Sequence, residues 1–277
     1  MFKKKIFKND LSVVLGSTAT GKTQLAVQLA HKLSGEIISA DSRQVYRGMD
    51  IGTGKDLNEY NFKGVSIPYH LIDIVAPIEE YNVAQFQMDF QRIYSEIKER
   101  KKLPILCGGT GFYIKAVLMD FQLPTTEPDK QLRQKLENWE LVDLVNELET
   151  ISPGASANTP VDTKRRVIRA IEVANSKDQG KVGQKKNTVQ RNANNFNLNN
   201  TTVIGIEYPR EVIRERITKR LHSRLNNGMI EEVESLLQNG VTHERLSRLG
   251  LEYRFISKHI QGETTREEMT TQLNTAI

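Results

Sequence analysis

The sequence predicts an α/β protein built on a parallel sheet with helices on both faces and carrying an inserted helical subdomain. Three observations predict it. The loop GSTATGKT, residues 16–23, fits G-x-x-x-x-G-K-[ST] and lies between an apolar run and an amphipathic run, which makes the sheet P-loop NTPase-like. Short apolar runs then alternate with helical periods as far as residue 120, the pattern of strand–helix–strand units. From 121 to 200 the alternation stops, and an apolar run resumes only at 201.

Each element follows from its residues. LSVVL, 11–15, is apolar and short, so it reads as a buried strand. Residues 22–34 put Leu25, Ala26, Leu29, Ala30 and Leu33 on one helical face and end at Gly35. EIISA is a second strand, ending at Asp41. Residues 83–102 form a long helix on Val83, Phe86, Phe90, Ile93 and Ile97, with basic residues at its C-terminus. LPILCGG is a third strand, entered through Pro104. Beyond it, 129–150 reads as helix with Leu132, Leu136, Trp139 and Val145 inward, and 163–175 as helix with Val167, Ala170, Ile171 and Ala174 inward. Residues 176–200 are rich in Asn, Gln, Lys and Gly without apolar periodicity, and read as a mobile loop or linker. TTVIGIEY, 201–208, is a strand that returns to the sheet. The expected division is therefore 1–120 as the first part of the core, 121–200 as a helical insertion ending in a linker, and 201–277 as the return to the core.

Bulk properties narrow the setting. The chain has 277 residues, 38% of them hydrophobic, and a net charge of +5, which is compatible with a polyanionic partner. One cysteine, Cys107, excludes an internal disulfide framework and fits a reducing compartment. No run approaches the roughly 20 apolar residues of a membrane span, and LSVVL is too short for a signal-peptide core. The expected setting is the cytoplasm, away from membranes. His31, His70, His222, His243 and His259 show no metal-ligand spacing and are read as structural or surface residues.

The chemistry starts at the glycine-rich loop. Gly16, Ser17, Thr18, Ala19, Thr20 and Gly21 would turn successive backbone N–H groups toward a phosphate, with the dipole of the following helix behind them. Lys22 adds a point charge, and the Thr23 hydroxyl can reach a magnesium ion bridging phosphate oxygens. The motif leaves open which phosphate is held. Strand ends of an open α/β sheet line its ligand crevice, so Asp41 and Thr110 converge with this loop. Ser42, Arg43 and Gln44 follow Asp41 with side chains suited to a base edge, although in a small-molecule kinase Asp41 would take a proton from a hydroxyl. Arg216, Arg220 and Arg224 flank the stripe Ile213, Ile217, Leu221 and Leu225 at the edge of a buried face.

Several ordered blocks go further: GSTATGKT, ISADSRQVYRGMDIGTGK, YHLIDIVAP, GGTGFYIKA, KRRVIRAIEV, and RERITKR with GMIEEVESLL. Over roughly residues 11–260 they resemble the tRNA dimethylallyltransferases, also called tRNA isopentenyltransferases. The resemblance implies transfer of a dimethylallyl group from dimethylallyl diphosphate to the exocyclic amine of the adenosine 3′ of the anticodon. It implies that the loop 16–23 holds the prenyl diphosphate with Mg2+, and that Asp41 is the general base. It places Thr110 near the bridging oxygen and the incoming nucleotide, and Arg220 on the diphosphate. RNA contacts are implied at Asp41, Ser42, Arg43, Gln44 and Thr110, at Arg133, and along Arg165, Arg166, Val167, Ile168 and Arg169. The insertion would clamp the tRNA anticodon stem-loop, Arg224 would lie on the solvated side, and a monomer is expected.

The chain departs from the family at three places. GTGKD stands where relatives read G-T-A-K-P, and LGLEYRF, 249–255, stands for a G-Y-K-E-like block, which puts the turn and the RNA contact there in question. The sequence stops at TTQLNTAI, where relatives continue into a basic segment with a tryptophan, so weaker tRNA affinity is expected. The alternatives are an adenylate isopentenyltransferase acting on AMP or ATP, a P-loop small-molecule kinase, and a non-catalytic RNA-binding remnant. The insertion and the RRVIR helix favour RNA, since a free nucleotide needs no clamp.

Overall fold

A computed structural model describes residues 10–121, 123–124, 126–178 and 198–277. Apart from its ends at 176–178 and 198–200, the tract expected to be a linker lies outside the described residues. The chain divides into two compact units, Met1–Phe121 with Asn194–Ile277, and Gln122–Ala193.

The first unit opens with β1 (Leu11–Gly16), α1 (Lys22–Leu33) and β2 (Gly35–Ser39). A hairpin of β3 (Asn61–Phe62) and β4 (Val65–Ser66) and a short strand β5 (Tyr69–His70) lead to α2 (Val83–Glu99), β6 (Leu103–Gly108) and α3 (Gly111–Leu118). After the second unit the chain returns through β7 (Thr201–Ile206) to five helices: α8 (Arg210–Asn226), α9 (Met229–Gln238), α10 (His243–Leu249), α11 (Leu251–Ile260) and α12 (Arg266–Ala276). The five strands of the main sheet run β5-β2-β6-β1-β7, all parallel. This is the expected class, a parallel sheet with helices on both faces. α8 carries the stripe Ile213, Ile217, Leu221 and Leu225 read from the sequence; β5 and the helices α9 to α12 go beyond the elements read there.

Alternation along the strands divides the core in two. Val14, Ile37, Ile105 and Cys107 face α1, where they meet Ala26, Val27 and Ala30. Val13, Ile38 and Leu106 face the other way, toward Phe86, Phe90 and Ile97 of α2, Tyr113 and Ile114 of α3, and Leu221, Leu225, Met229, Val233, Tyr253 and Ile256 of the C-terminal helices. Strands buried on both faces read as continuous apolar runs, which is why LSVVL and LPILC carried a clear signal. The α2 N-terminus is fixed by a capping box, with Asn82 accepting from Gln85 N and the Gln85 side chain accepting from Asn82 N.

β6 lies between β1 and β2, so the chain skips one strand position on the way from β1 to β2 and fills it later. The fit is close at both ends of β2. A Cβ on Gly35 would lie 2.7 Å from Leu103 O, and one on Gly108 would lie 2.2 Å from Ala40 O. Here the absence of a side chain lets two backbones approach.

The second unit is all helix among its described residues: α4 (Lys130–Leu136), α5 (Leu141–Ile151), α6 (Ala155–Asn158) and α7 (Lys164–Asp178). The single helix read over 129–150 is two helices, broken between Leu136 and Leu141. Its core is Leu136, Leu144, Leu148, Val167 and Ile171. Leu132, Trp139 and Val145, expected inward, pack only at its margin.

Gly108→Ala has no room to relax, because its obstacle is backbone. It should lower the unfolding free energy by about 1–3 kcal/mol, read as a lower denaturation midpoint at unchanged m-value.

Candidate functional site

The loop between β1 and α1 is a tight cradle. Ala19 and Gly21 take left-handed backbone angles, with φ of 61° and 77°. The Thr20 hydroxyl donates to Ser17 O at 2.9 Å and Lys22 Nζ to the same carbonyl at 3.3 Å. A Cβ on Gly16 would meet Thr20 Oγ1 at 2.8 Å, so the first glycine lets the loop close on itself. Burial lowers the Lys22 pKa; Asp41 and Cys107 work against that shift and Arg220 adds to it. Cys107, behind the loop on β6, has its thiol pushed up to about 12 by burial, which makes it a packing residue.

Two strand ends meet beside this loop. Asp41 leaves β2 and folds back on its own turn, its Oδ1 accepting from Arg43 N at 2.9 Å and Gln44 N at 3.4 Å. Among the described residues no hydrogen bond reaches its Oδ2. Thr110 stands at the N-cap position of α3 but does not cap it; its Oγ1 accepts from Ser42 N at 3.0 Å, and its N–H donates to Ala40 O at 3.2 Å. Thr110 therefore fastens the 41–44 turn to the end of β6. Arg43 and Ser42 are half-buried at this edge. Gln44 is occupied structurally: its Oε1 accepts from Ser39 Oγ at 3.2 Å and its Nε2 donates to Gly54 O at 3.1 Å.

Helix α8 closes the cradle from the opposite face of the sheet. Arg220 donates through Nη2 to the Thr18 hydroxyl. Its pKa is pushed down to about 10 by burial and by neighbouring Arg224, while Glu252, Asp56 and Asp41 pull the other way. It remains a cation at neutral pH, poorly hydrated and poised for an anion. Arg216 donates to Ala19 O at 3.4 Å and lies 4.1 Å over the Tyr208 ring. Arg224 departs from its expected solvated position: its guanidinium packs on the backbone of Gly54, Nη1 donates to Gly52 O at 3.4 Å, and Nη2 is buried with no hydrogen-bond partner among the described residues.

The 49–55 loop, which carries the GTGK departure, is held by residues that sequence reading assigned no role. Lys55, only 4% exposed, donates to Tyr46 O at 2.6 Å, to Asp50 Oδ1 at 2.7 Å and to Asp73 Oδ1. Glu232 of α9 accepts from the N–H groups of Asp50, Ile51 and Gly52 at 2.7, 2.6 and 3.0 Å, and from Tyr253 OH at 2.7 Å. Tyr253 belongs to the divergent block LGLEYRF, so this block builds the loop's support. Burial and Glu232 raise its pKa, keeping the hydroxyl a donor.

Thr23, the second residue of α1, has a hydroxyl with no hydrogen-bond partner among the described residues. No group of three or more His, Cys, Asp or Glu side chains there could hold a metal. The Thr23 hydroxyl is a hard oxygen donor of the kind a magnesium ion accepts, and by itself supplies a single ligand. No helix among the described residues is long and apolar enough to cross a membrane.

The remaining RNA candidates belong to the second unit. Arg165 and Arg166 are exposed, and Arg166 pairs with Asp162 at 2.6 Å. Arg133 and Arg169 both engage Glu172, at 2.6 and 3.0 Å, and Arg169 also donates to Thr126 O at 2.7 Å. Val167 is a correction: its side chain is fully buried in the unit's core and offers RNA no surface. Ile168 is partly buried against the same core.

The chain as a whole is similar to known proteins. A family model described as IPP transferase matches residues 44–277. The tRNA dimethylallyltransferase 1 of Parabacteroides distasonis is 48% identical over 97% of this chain and 84% of its own length. Among solved structures, the full-length tRNA isopentenylpyrophosphate transferase from Bacillus halodurans is 35% identical with a TM-score of 0.66, covering 96% of this chain and 82% of that one. A eukaryotic dimethylallyltransferase acting on tRNA is 26% identical with a TM-score of 0.73, covering 96% and 66%.

Glu172 sets an acid limit for the second unit. Its burial favours the neutral form, but hydrogen bonds from Arg133 and Arg169 outweigh this and hold its pKa below the usual carboxylate range. Its stabilisation is therefore present above the unfolded pKa, about 4.3, and is lost as pH falls through the folded value. Glu172→Gln should destabilise the unit by about 1–3 kcal/mol at neutral pH, less than for a fully buried pair because the guanidiniums are partly exposed. Its melting temperature should also fall less steeply with acidification than that of the unaltered protein.

Proposed function

The chain belongs to the IPP transferase family, and on that premise we propose that it transfers a dimethylallyl group from dimethylallyl diphosphate to the exocyclic amine of the adenosine 3′ of the anticodon in tRNA. The observation that carries this reading is the meeting of two unlike groups at one end of the sheet: a phosphate cradle closed by Lys22 and Arg220 after β1, and a carboxylate, Asp41, after β2, two strands away across β6. Allylic displacement needs both.

In this reading the C1–O bond of the prenyl diphosphate breaks as the adenine N6–C1 bond forms. Charge grows on the departing diphosphate. The N–H groups of 16–23, Lys22 and Arg220 meet it with preorganised positive charge. A diphosphate reaching the cradle takes over the Arg220 contact now made to Thr18. A magnesium ion at Thr23 would supply further charge neutralisation on the diphosphate oxygens. The attacking amine must lose a proton, and Asp41 accepts it through Oδ2 while Oδ1 stays in its turn. Thr110 keeps that turn on the end of β6 and presents its hydroxyl toward the bridging oxygen.

Arg43 and Ser42 are the groups we assign to the extruded base and its neighbours. An enzyme acting on a paired or stacked base must take it out of the stack. Arg165, Arg166, Arg169 and Arg133 of the inserted unit are assigned to the anticodon-stem backbone. Such contacts set affinity and its salt dependence. Glu172 limits what Arg133 and Arg169 can offer, so Arg165 is the strongest of the four as a phosphate contact. Gln44 supports Asp41 rather than reading a base.

The test is label transfer from dimethylallyl diphosphate, with magnesium, into unmodified tRNA carrying adenosine 3′ of the anticodon, with AMP and ATP in parallel. Label is expected in that adenosine and not in free nucleotide; label in AMP or ATP alone overturns the RNA assignment. Asp41→Asn should lower kcat by about 10²–10⁴-fold with little change in KM for the diphosphate. Lys22→Met should raise that KM. Equal kcat in the Asp41→Asn protein would remove Asp41 as the base.

A further inference from the structure

We propose that Glu232 is a positioning residue, which from helix α9 holds the 50–54 loop and, through it, the turn that carries Asp41. The inference rests on the prenyl-transfer reading, because it assigns Asp41 the proton.

Three consecutive backbone N–H groups, those of Asp50, Ile51 and Gly52, point at one carboxylate. Successive amides turned the same way form an anion-binding concavity. Here the anion is the protein's own, supplied from about 180 residues further along the chain. The loop is also gripped by charge of opposite sign. The Arg224 guanidinium reaches Gly52 O and rests on Gly54, whose φ of +67° and missing side chain make room for it. The carboxylate takes the N–H groups and the guanidinium takes a carbonyl, so both polarities of this short loop are fixed by the C-terminal helices.

The hold passes to the site through one side chain. Gly54 O accepts from Gln44 Nε2, Gln44 Oε1 accepts from Ser39 at the end of β2, and Gln44 N donates to Asp41 Oδ1. Loop, Gln44 and Asp41 thus form a continuous hydrogen-bonded path. The contacts of the phosphate cradle, Thr20 and Lys22 to Ser17 and Arg220 to Thr18, use none of these atoms. A loosened loop should therefore misplace the base and leave the diphosphate where it is. Misplacement of about 1 Å in a reacting group can cost on the order of 10²-fold in rate.

The experiment uses the full chain with Glu232→Gln, and Glu231→Gln as a control on an exposed neighbour of the same helix. Gln keeps the size but turns an NH2 toward one pair of donors. Transfer kinetics on RNA give kcat and KM for dimethylallyl diphosphate, and amide hydrogen exchange reports the loop and the turn directly. Glu232→Gln should lower kcat by about 10–100-fold while KM for the diphosphate stays within about twofold. Exchange should quicken at Arg43 and Gln44 as well as at Asp50, Ile51 and Gly52. Glu231→Gln should match the unaltered protein in every reading. An unchanged kcat overturns the proposal. So does a parallel loss in kcat and diphosphate binding, and so does faster exchange confined to 50–52. If the unaltered protein transfers no label to RNA, the prenyl-transfer reading fails by itself. The exchange arm then still decides whether loop and turn move together.

Discussion

The site depends on how closely β6 approaches β2. Gly35 and Gly108 leave no side chain at either end of that pairing, and at Gly108 the clearance to Ala40 O excludes even a methyl group. This contact carries the end of β6 past the end of β2, so that Thr110 N reaches Ala40 O and Thr110 Oγ1 receives Ser42 N. Spacing β6 one side chain further away would separate Thr110 from the Asp41 turn. The phosphate loop, one strand over on β1, is aligned by the parallel pairing of β1 with β6 from Ser12 with Ile105 to Leu15 with Gly108. Backbone geometry, set before any functional side chain is considered, brings the three strand ends together.

Much of this was legible in the sequence, because the signals were local. LSVVL, EIISA and LPILC are buried on both faces and read as plain apolar runs. GSTATGKT is a contiguous motif with a strand before it and a helix after it. The two-residue strand β5 is too short to show a period. The run 129–150 concealed a helix break, since Trp139 continues an apolar pattern that the backbone does not follow. Lys55, Glu232 and Arg224 were hidden for a different reason. Each owes its place to partners far away in the chain, and nothing separates Glu232 from Glu231 or Glu234 in the string GMIEEVESLL. A buried lysine in a run of glycines and charges looks like any solvated loop residue. Arg224 was assigned to solvent on helical spacing, which gives the face of a helix but not the loop that covers it.

The inserted unit shows how a basic helix face can be less available than it looks. Four arginines fall in or near its described helices, but one buried glutamate, Glu172, holds two of them, and Arg166 is paired with Asp162 just ahead of its helix. Counting positive charges along RRVIR overstates the surface open to a polyanion, and Val167 within that run is core. The arrangement suits orientation over raw attraction: paired guanidiniums keep a fixed direction while giving up part of their field.

The phosphate cradle draws on both faces of the sheet. Lys22 comes from α1, packed on one side, and Arg220 from α8, packed on the other. The Thr18–Arg220 contact spans 202 residues. On a ribosome, the glycine loop and its helix emerge early, yet the second cation reaches them only after α8 has been made and docked. Until then, on the proposed assignment, the growing chain holds half a diphosphate site. The Thr18–Arg220 contact therefore reports completion of the fold: a polypeptide that has made it has already brought its two distant halves together.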